Sequence, residues 1–300
     1  MVLNRRKVVF IIAIVVILSS IIIAVSYPYI SDKAPPTMTT HTPIRITSNS
    51  DFTPENGVRG GSGTIDDPYM IEGWDIIASN HGIWISDTTA YFIIKNNYVH
   101  DGGPLYHGIE LEDVINGKIQ NNTSANNNAG IIIYDSSNNF ISENEILDNY
   151  WGILLDNSNN ITISNNSLSN NKYNLFIHGS KYFVYDRIQN YLHNIDDSNT
   201  INGKPIYYYT NQKNLHLNGT DVGYLGLVNC SGIIENVSIS NNGQGILIAY
   251  SSNVTVKNSN FSYNTYGIHM LSSNNNTILN NNVLDNDPLY GIFLLGSYSN

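Results

Sequence analysis

Three carboxylates in this chain have the spacing of an acid and a base that work together on one bond. Glu110 and Glu112 are two residues apart, so on a strand they share one face at about 6.5 to 7 Å. Asp156 follows Glu112 by 44 residues, and two turns of a 22-residue repeat would bring it to about 9.6 Å from Glu112. Separations of this order suit inverting glycoside hydrolysis. Glu110, Glu112 and Asp156 are therefore candidate catalytic residues, and a solvated acidic edge is the alternative.

Aromatic residues and one histidine accompany these acids and are candidate ligand-binding residues. Trp84 and Tyr134 offer flat surfaces on which sugar rings could stack, and His107 stands just before the strand that carries Glu110. A second aromatic run holds Tyr207 and Tyr209. Strand alternation places Tyr208, between them, on the opposite face, so at least one of the three tyrosines belongs to the core.

Metal ligands are sparse in the sequence. Asp87, Asp113 and Asp135 each stand five residues after a glycine of the repeat, so a calcium ion could bind among them. The alternative is that each Asp bonds its own turn. Methionine and histidine are adjacent only at His269 and Met270, and no spaced set of His, Met and Cys emerges, so we predict no dedicated copper site. Apart from the possible calcium, no metal ligands and no cofactor are predicted.

A glycine recurs at a fixed interval in the sequence, and this repeat determines where the candidate residues lie. Within each of two runs the step is 22 residues, with an asparagine 19 residues after every glycine and an aliphatic residue 11 after it. The glycines are Gly108, Gly130, Gly152, Gly223, Gly245 and Gly267. A unit this short cannot bury its own apolar side and must stack on copies of itself.

The repeat predicts an all-β chain folded as a right-handed parallel β-helix with coils of about 22 residues. Each coil shows alternation of period two in three short stretches with Asn-rich breaks between them. Asparagine tolerates the left-handed conformation, and its amide can bond the same turn of the next coil, so we expect Asn ladders. Gly203 is predicted to open a further coil of the same stack, and residues 181–197 to bulge outward.

The strand after each glycine is apolar on both faces. These strands would form one sheet, here called the first sheet, whose outward positions include Ile132, Leu154, Leu247 and Leu271. Such a sheet should be covered by the 181–197 bulge, by self-association, or by a ligand or partner.

The N-terminal residues suggest export. Residues 1–26 hold a basic flank and an uncharged stretch from Val8 to Val25, which predicts a signal peptide or a single membrane anchor. Residues 27–43 are predicted to be a Pro/Thr/Ser-rich tether, 44–81 an N-terminal cap with the first coil, and 82–300 the β-helix. The last coil stops at Asn300, so we expect further chain or a capping partner there.

The net charge of −10 argues against binding to nucleic acid.

With these residues in view, the chain resembles the NosD-like family of right-handed parallel β-helix proteins, described as carbohydrate-binding and sugar-hydrolase repeat domains. The likeness covers residues 44–300 and is most specific at GSGTIDDPYMIEG (61–73), NTINGKPIYYY (199–209) and the repeat at 130–149. It implies the fold rather than an activity, because this fold hosts lyases, hydrolases, epimerases, adhesins and copper-maturation factors. Arg187 is the only arginine beyond position 60, which argues against arginine-dependent lyase chemistry.

The sequence therefore predicts an exported, extracellular or cell-surface β-helix domain that binds polysaccharide or envelope proteins and is not an enzyme. The first alternative is a glycoside hydrolase or polysaccharide lyase that uses Glu110, Glu112 and Asp156. The second is a periplasmic copper-related factor, which would require His and Met to converge.

Overall fold

The computed structural model describes residues 38–179, 187–219, 221–287 and 290–300, and Met38–Asn300 form one compact unit. The predicted signal or anchor segment and most of the predicted tether lie outside the described residues. Thr39–Thr40, placed in the tether by composition, already pairs as a strand with Trp74–Ile77, so the stacked structure begins before Ile44. No helix of the described ranges is long and apolar enough to cross a membrane.

The described part of the chain is built almost entirely from short strands in two stacks. The N-terminal stack contains β1 (Thr39–Thr40), β2 (Ile44–Ile46), β3 (Val58–Gly60), β4 (Tyr69–Glu72), β5 (Trp74–Ile77), β6 (Ile83–Thr88), β7 (Phe92–Lys95), β8 (Tyr98–His100), β9 (Ile109–Val114), β10 (Gly117–Gln120), β11 (Thr123–Ala125), β12 (Ala129–Tyr134), β13 (Phe140–Ser142), β14 (Glu145–Leu147), β15 (Trp151–Asp156), β16 (Thr162–Ser164), β17 (Ser167–Ser169), β18 (Tyr173–His178), β19 (Asn194–Ile195) and β20 (Thr200–Ile201). The C-terminal stack contains β21 (Lys204–Thr210), β22 (Leu215–Asn218), β23 (Tyr224–Val228), β24 (Gly232–Glu235), β25 (Ser238–Ser240), β26 (Gln244–Ala249), β27 (Val254–Lys257), β28 (Asn260–Ser262), β29 (Tyr266–Leu271), β30 (Thr277–Leu279), β31 (Asn282–Leu284) and β32 (Tyr290–Leu295). Three 3-10 helices are Asn49–Asp51, Pro54–Asn56 and Ile188–Tyr191.

The N-terminal stack is a parallel β-helix with three faces. Its first sheet has the order β18-β15-β12-β9-β6-β2, its second sheet runs from β19 to β3, and its third sheet runs from β1 to β20. Ile141 pairs with Ile119 on one side and with Ile163 on the other, and all three are buried in one core. The 22-residue period is thus confirmed as one coil, and the predicted parallel stacking of coils is confirmed with it.

The chain reverses direction between the two stacks. Strand β21 pairs antiparallel with β20, and Asn202 and Gly203 connect them with φ of 49° and 80°. Both residues have a left-handed backbone conformation, as a two-residue hairpin connection requires. The prediction that Gly203 opens another coil of the same stack is wrong, because this Asn-Gly pair turns the chain back on itself. Beyond the hairpin the strands stack in parallel again, so the third sheet of one stack continues into the first sheet of the other.

One glycine of the repeat lies out of register in the C-terminal stack. Leu225 pairs with Ile246, a step of 21 residues, whereas Ile234 pairs with Val256 at the predicted 22. Gly223 therefore does not stand above Gly245. The difference arises in the connection from β23 to β24, which is one residue shorter than the connection from β26 to β27 in the next coil.

Asparagine ladders hold the turns together, as predicted. The backbone N–H of Asn144 donates to Oδ1 of Asn166 (3.0 Å), and its side-chain amide donates to the carbonyl of Ile119 (2.9 Å) and to the same Oδ1 (2.9 Å). Asn166 repeats the arrangement with Asn199. Each amide thus pairs otherwise unpaired backbone groups of a buried turn.

The contact between the stacks covers the first sheet of the C-terminal stack. Its outward residues Leu247, Ala249 and Leu271 are fully buried and belong to the core cluster of the N-terminal stack. Part of the segment predicted to bulge at 181–197 belongs to the same cluster. Residues 181–186 lie outside the described residues, and Tyr191 and Ile195 are themselves buried in the N-terminal core. The reversal at Gly203 turns the apolar face of the second stack towards this core.

Candidate functional site

The candidate catalytic residues lie on the outer face of the first sheet of the N-terminal stack. Register places Glu110 between Trp84 and Ile132, and Tyr134 between Glu112 and Asp156. The two columns run side by side across four coils. We call this surface the acidic face and define it by Trp84, Glu110, Glu112, Ile132, Tyr134, Leu154 and Asp156.

Two of the three acids have histidine partners. Nδ1 of His81 lies 3.0 Å from Oε2 of Glu110, and Nδ1 of His178 lies 3.3 Å from Oδ1 of Asp156. Glu112 differs, because burial raises its pKa and the negative charges of Glu110, Asp113 and Asp87 raise it further. A carboxyl group with a raised pKa retains its proton to higher pH, which is the property that a general acid requires.

The aromatic residues of the acidic face are not equally accessible. The guanidinium of Arg45 lies 3.9 Å from the centroid of the Trp84 ring, and the His81 ring lies 5.7 Å away on a tilted plane. One face of the indole is therefore already covered by a cation. Tyr134, half-buried between Glu112 and Asp156, is the aromatic residue nearest the middle of the acidic face.

His107 lies at the edge of the acidic face beside Glu110. Burial lowers its pKa, the charge of Glu110 opposes that shift, and His81 adds to it. The ring centroids of His81 and His107 are 5.0 Å apart. The sequence reasoning missed His81, although a signal was present: His81 precedes Gly82 just as His107 precedes Gly108.

Tyr207 and Tyr209 lie in the C-terminal stack, on a different sheet from the acids. Their rings are nearly parallel, with centroids 6.1 Å apart, and both pack against the core of that stack. Tyr208 points the other way, is buried, and donates its hydroxyl to the carbonyl of Tyr191 (2.6 Å). The predicted alternation is confirmed, and the structure does not bring this tyrosine pair together with the acidic face.

The three aspartates proposed for calcium stack in one column. Asp87, Asp113 and Asp135 follow paired positions of consecutive strands and all have positive φ. Burial raises the pKa of Asp113, and the charges of Asp135 and Asp87 raise it further. Their left-handed backbone explains why Asp occurs there, and calcium binding remains a prediction.

A cleft at the junction of the stacks could not be found from the sequence. It has a volume of about 560 Å³ and is lined by Lys172, Tyr173, Asn241, Tyr263, Asp285 and Asp287. Residues more than 110 positions apart meet there because the second stack packs against the end of the first, at β18. The repeat gives no sign of that reversal.

Fold and site together define a parallel β-helix repeat protein with a half-exposed acidic face. Residues 65–207 match the family described as periplasmic copper-binding protein (NosD), and residues 188–300 match the right-handed β-helix region. The two matches together span residues 65–300 and, with the observed fold, support a NosD-like family of parallel β-helix repeat proteins. The match to a periplasmic family is consistent with export. No curated protein and no solved structure gives a significant match.

The family description raises the question of copper, and the residues present do not fit a copper(I) site. Met270 points into the core of the C-terminal stack, whereas His269 points the opposite way and stacks on Tyr266 at 4.4 Å. Burial, with a smaller effect of His178, lowers the pKa of His269 to about 3. Met70 lies on β4 in the other stack. Soft thioether ligands and histidine therefore do not converge in the described part of the chain.

Proposed function

We propose that this protein is an exported β-helix domain of the cell envelope that binds polysaccharide through the acidic face. One contrast supports the proposal. The outward positions of the first sheet are buried in the C-terminal stack, at Leu247 and Leu271, but half-exposed in the N-terminal stack, at Ile132 and Leu154. When a sheet is apolar on both faces and one face remains exposed to solvent, the exposed face is typical of a binding surface.

The chemistry of the acidic face favours a carbohydrate. Carboxylates accept hydrogen bonds from hydroxyl groups, and Tyr134 and the aliphatic side chains beside it offer apolar contact to the C–H faces of sugar rings. The coils repeat about every 4.8 Å, so a polymer with regularly spaced units could contact equivalent positions on successive coils. The negative charge of the surface favours neutral or cationic glycans over acidic ones.

Glycan-array screening of the full chain tests the proposal, followed by calorimetry with each glycan that binds. Tyr134→Ala should weaken binding about tenfold, since losing one aromatic contact of about 1.4 kcal/mol has that effect. Tyr298→Ala is the control, because Tyr298 is 72% exposed and lies on the last coil of the other stack. Absence of any bound glycan would refute the proposal, and so would equal binding by Tyr134→Ala and the wild type.

A second candidate function is hydrolysis of the bound glycan. The raised pKa of Glu112 favours it, since Glu112 could protonate a leaving oxygen while Asp156, two coils away, activates water. A reducing-sugar assay on each bound glycan should then show release by the wild type and none by Glu112→Gln. Release by both proteins would exclude Glu112 as the acid. If neither releases sugar, hydrolysis is refuted while the binding proposal stands.

The remaining features of the proposal concern location and partners. We place the domain outside the cytoplasm, held at the cell surface by residues 1–26 if these are not cleaved. A calcium ion at Asp87, Asp113 and Asp135 would sit beside the acidic face. Self-association through this face is the alternative, and sedimentation of the full chain would show it as a concentration-dependent dimer.

A further inference from the structure

Two histidines and a glutamate meet at the N-terminal edge of the acidic face. His81 and His107 occupy equivalent positions of consecutive coils, each directly before a glycine of the repeat. The backbone fixes them relative to each other, because Gly82 donates its N–H to the carbonyl of His107 (2.8 Å) and His107 donates its N–H to Nδ1 of His81 (3.4 Å). Glu110, on β9, is the next outward residue after His107. Rigid strands and turns therefore bring the three side chains together.

The donor atoms are close to the arrangement that a metal ion would need. One donor atom from each of His81, His107 and Glu110 lies within 4.8 Å of the other two. Nδ1 of His81 and Oε2 of Glu110 are already 3.0 Å apart. Ligands at 2.0–2.2 Å around a tetrahedral ion are about 3.4 Å from each other. Side-chain rotations that move the donors by roughly an ångström would complete the set, with no change in the strands.

Two of these donor atoms are buried and make no hydrogen bond. They are Nδ1 of His107 and Oε2 of Glu110, which are both inaccessible to solvent. Nδ1 of His81 lies 3.0 Å from this Oε2, but it accepts from the N–H of His107 and so does not donate to the carboxylate. A buried polar atom without a partner costs about 1 to 3 kcal/mol, so native structures rarely keep one without a reason. A bound cation would satisfy both atoms at once. The prediction of no dedicated copper site rested on the lack of a spaced His, Met and Cys set, and this group contains neither methionine nor cysteine.

We propose that His81, His107 and Glu110 bind a divalent transition-metal ion, and that Zn²⁺ is the ion the donor set fits best. Two imidazole nitrogens and one carboxylate oxygen form a set typical of zinc sites that keep a fourth, open position. Calcium is disfavoured, since it prefers six to eight oxygen ligands. Copper(I) is disfavoured because the site offers no sulfur. The side chains of His81 and Glu110 are 24% and 15% exposed, so an ion can enter from the acidic face.

Zinc binding to the untagged full chain tests the proposal directly. Competition with a chromogenic chelator should show one high-affinity Zn²⁺ per chain, and Co²⁺ at the same site should give the visible absorption of a tetrahedral complex. His107→Gln and Glu110→Gln should each weaken binding of Zn²⁺ at least tenfold. Zinc should also raise the unfolding temperature of the wild type but of neither variant.

Controls separate this site from other histidines and from unfolding. His216→Gln should bind zinc like the wild type, because His216 is 61% exposed, lies on β22 and pairs with Glu235. Far-UV circular dichroism must show the β-rich spectrum for every variant, and a variant that fails it is replaced by His81→Gln. The proposal is overturned if the wild type binds no zinc, if ligand variants bind as tightly as the wild type, or if equimolar Ca²⁺ displaces the zinc.

Discussion

Replacing Asn149 by leucine tests the ladder that holds one turn of every coil. Oδ1 of Asn149 accepts from the backbone N–H of Asn127 (2.9 Å), and its amide donates to the carbonyl of Ser124 (3.0 Å) and to Oδ1 of Asn171 (3.0 Å). The backbone N–H of residue 149 donates to the same Oδ1 of Asn171 (3.0 Å) and would still do so. Leucine, of similar size, removes the other three bonds without leaving a cavity.

The expected loss of stability follows from which groups remain unpaired. The N–H of Asn127 becomes a buried donor without an acceptor, at about 1 to 3 kcal/mol, and the lost amide donations add about 0.5 to 1.5 kcal/mol. We expect the free energy of unfolding to fall by about 1.5 to 4.5 kcal/mol. Urea unfolding followed by circular dichroism measures it, provided that the m-value is unchanged.

A neighbouring asparagine provides the matched control. Asn128 is half-buried and donates its amide only to the carbonyl of Pro104 (2.7 Å), at an exposed site. Asn128→Leu should change stability by less than about 1 kcal/mol. If Asn149→Leu costs no more than Asn128→Leu, the ladder does not stabilise the coil and the reasoning is refuted.

Two further predictions concern packing and pH. Gly130→Ala should destabilise the fold by about 1 to 3 kcal/mol, because the added Cβ would lie 2.5 Å from the side chain of Ile146. Gly60→Ala is the control and should be neutral, since nothing lies within 4 Å of its added Cβ. Thermal unfolding of both variants tests this difference. Burial opposes protonation of His100, but hydrogen bonds to Asp101 and Asp75 outweigh it and raise its pKa. His100 should therefore stabilise the fold fully below about pH 6.5 and lose this contribution as pH rises through the raised value. The difference in urea midpoint between wild type and His100→Gln should shrink over that interval, and a constant difference would contradict the assignment.

Local rules allowed the coil and the acidic face to be predicted from sequence. Stacking follows from a constant period, so the neighbours of Ile141, Glu112 and Tyr134 could be named in advance. The reversal of the chain at Asn202-Gly203 could not be predicted in this way. This turn is one of many Asn-rich turns, and only the pairing of β20 with β21 distinguishes it. The junction cleft depends on that reversal and was missed for the same reason. The proposed zinc site was not predicted, although His81 and His107 stand one coil apart in the repeat, because the metal prediction rested on sets that combine His with Met and Cys.

Burial of one first sheet and exposure of the other have a single cause. A parallel stack ends in an edge of unpaired backbone groups, which must be covered. Here the edge of β18 is closed by a turn of the C-terminal stack: Asn174 donates its N–H to the carbonyl of Asn241 (2.8 Å), and Gly243 donates to the carbonyl of Leu175 (2.9 Å). The side chain of Gln244 adds a bond to the carbonyl of Ile177 (2.7 Å). Because the second stack covers this end with its own apolar face, that face is unavailable to partners, while the acidic face on the side of the first stack stays open to solvent.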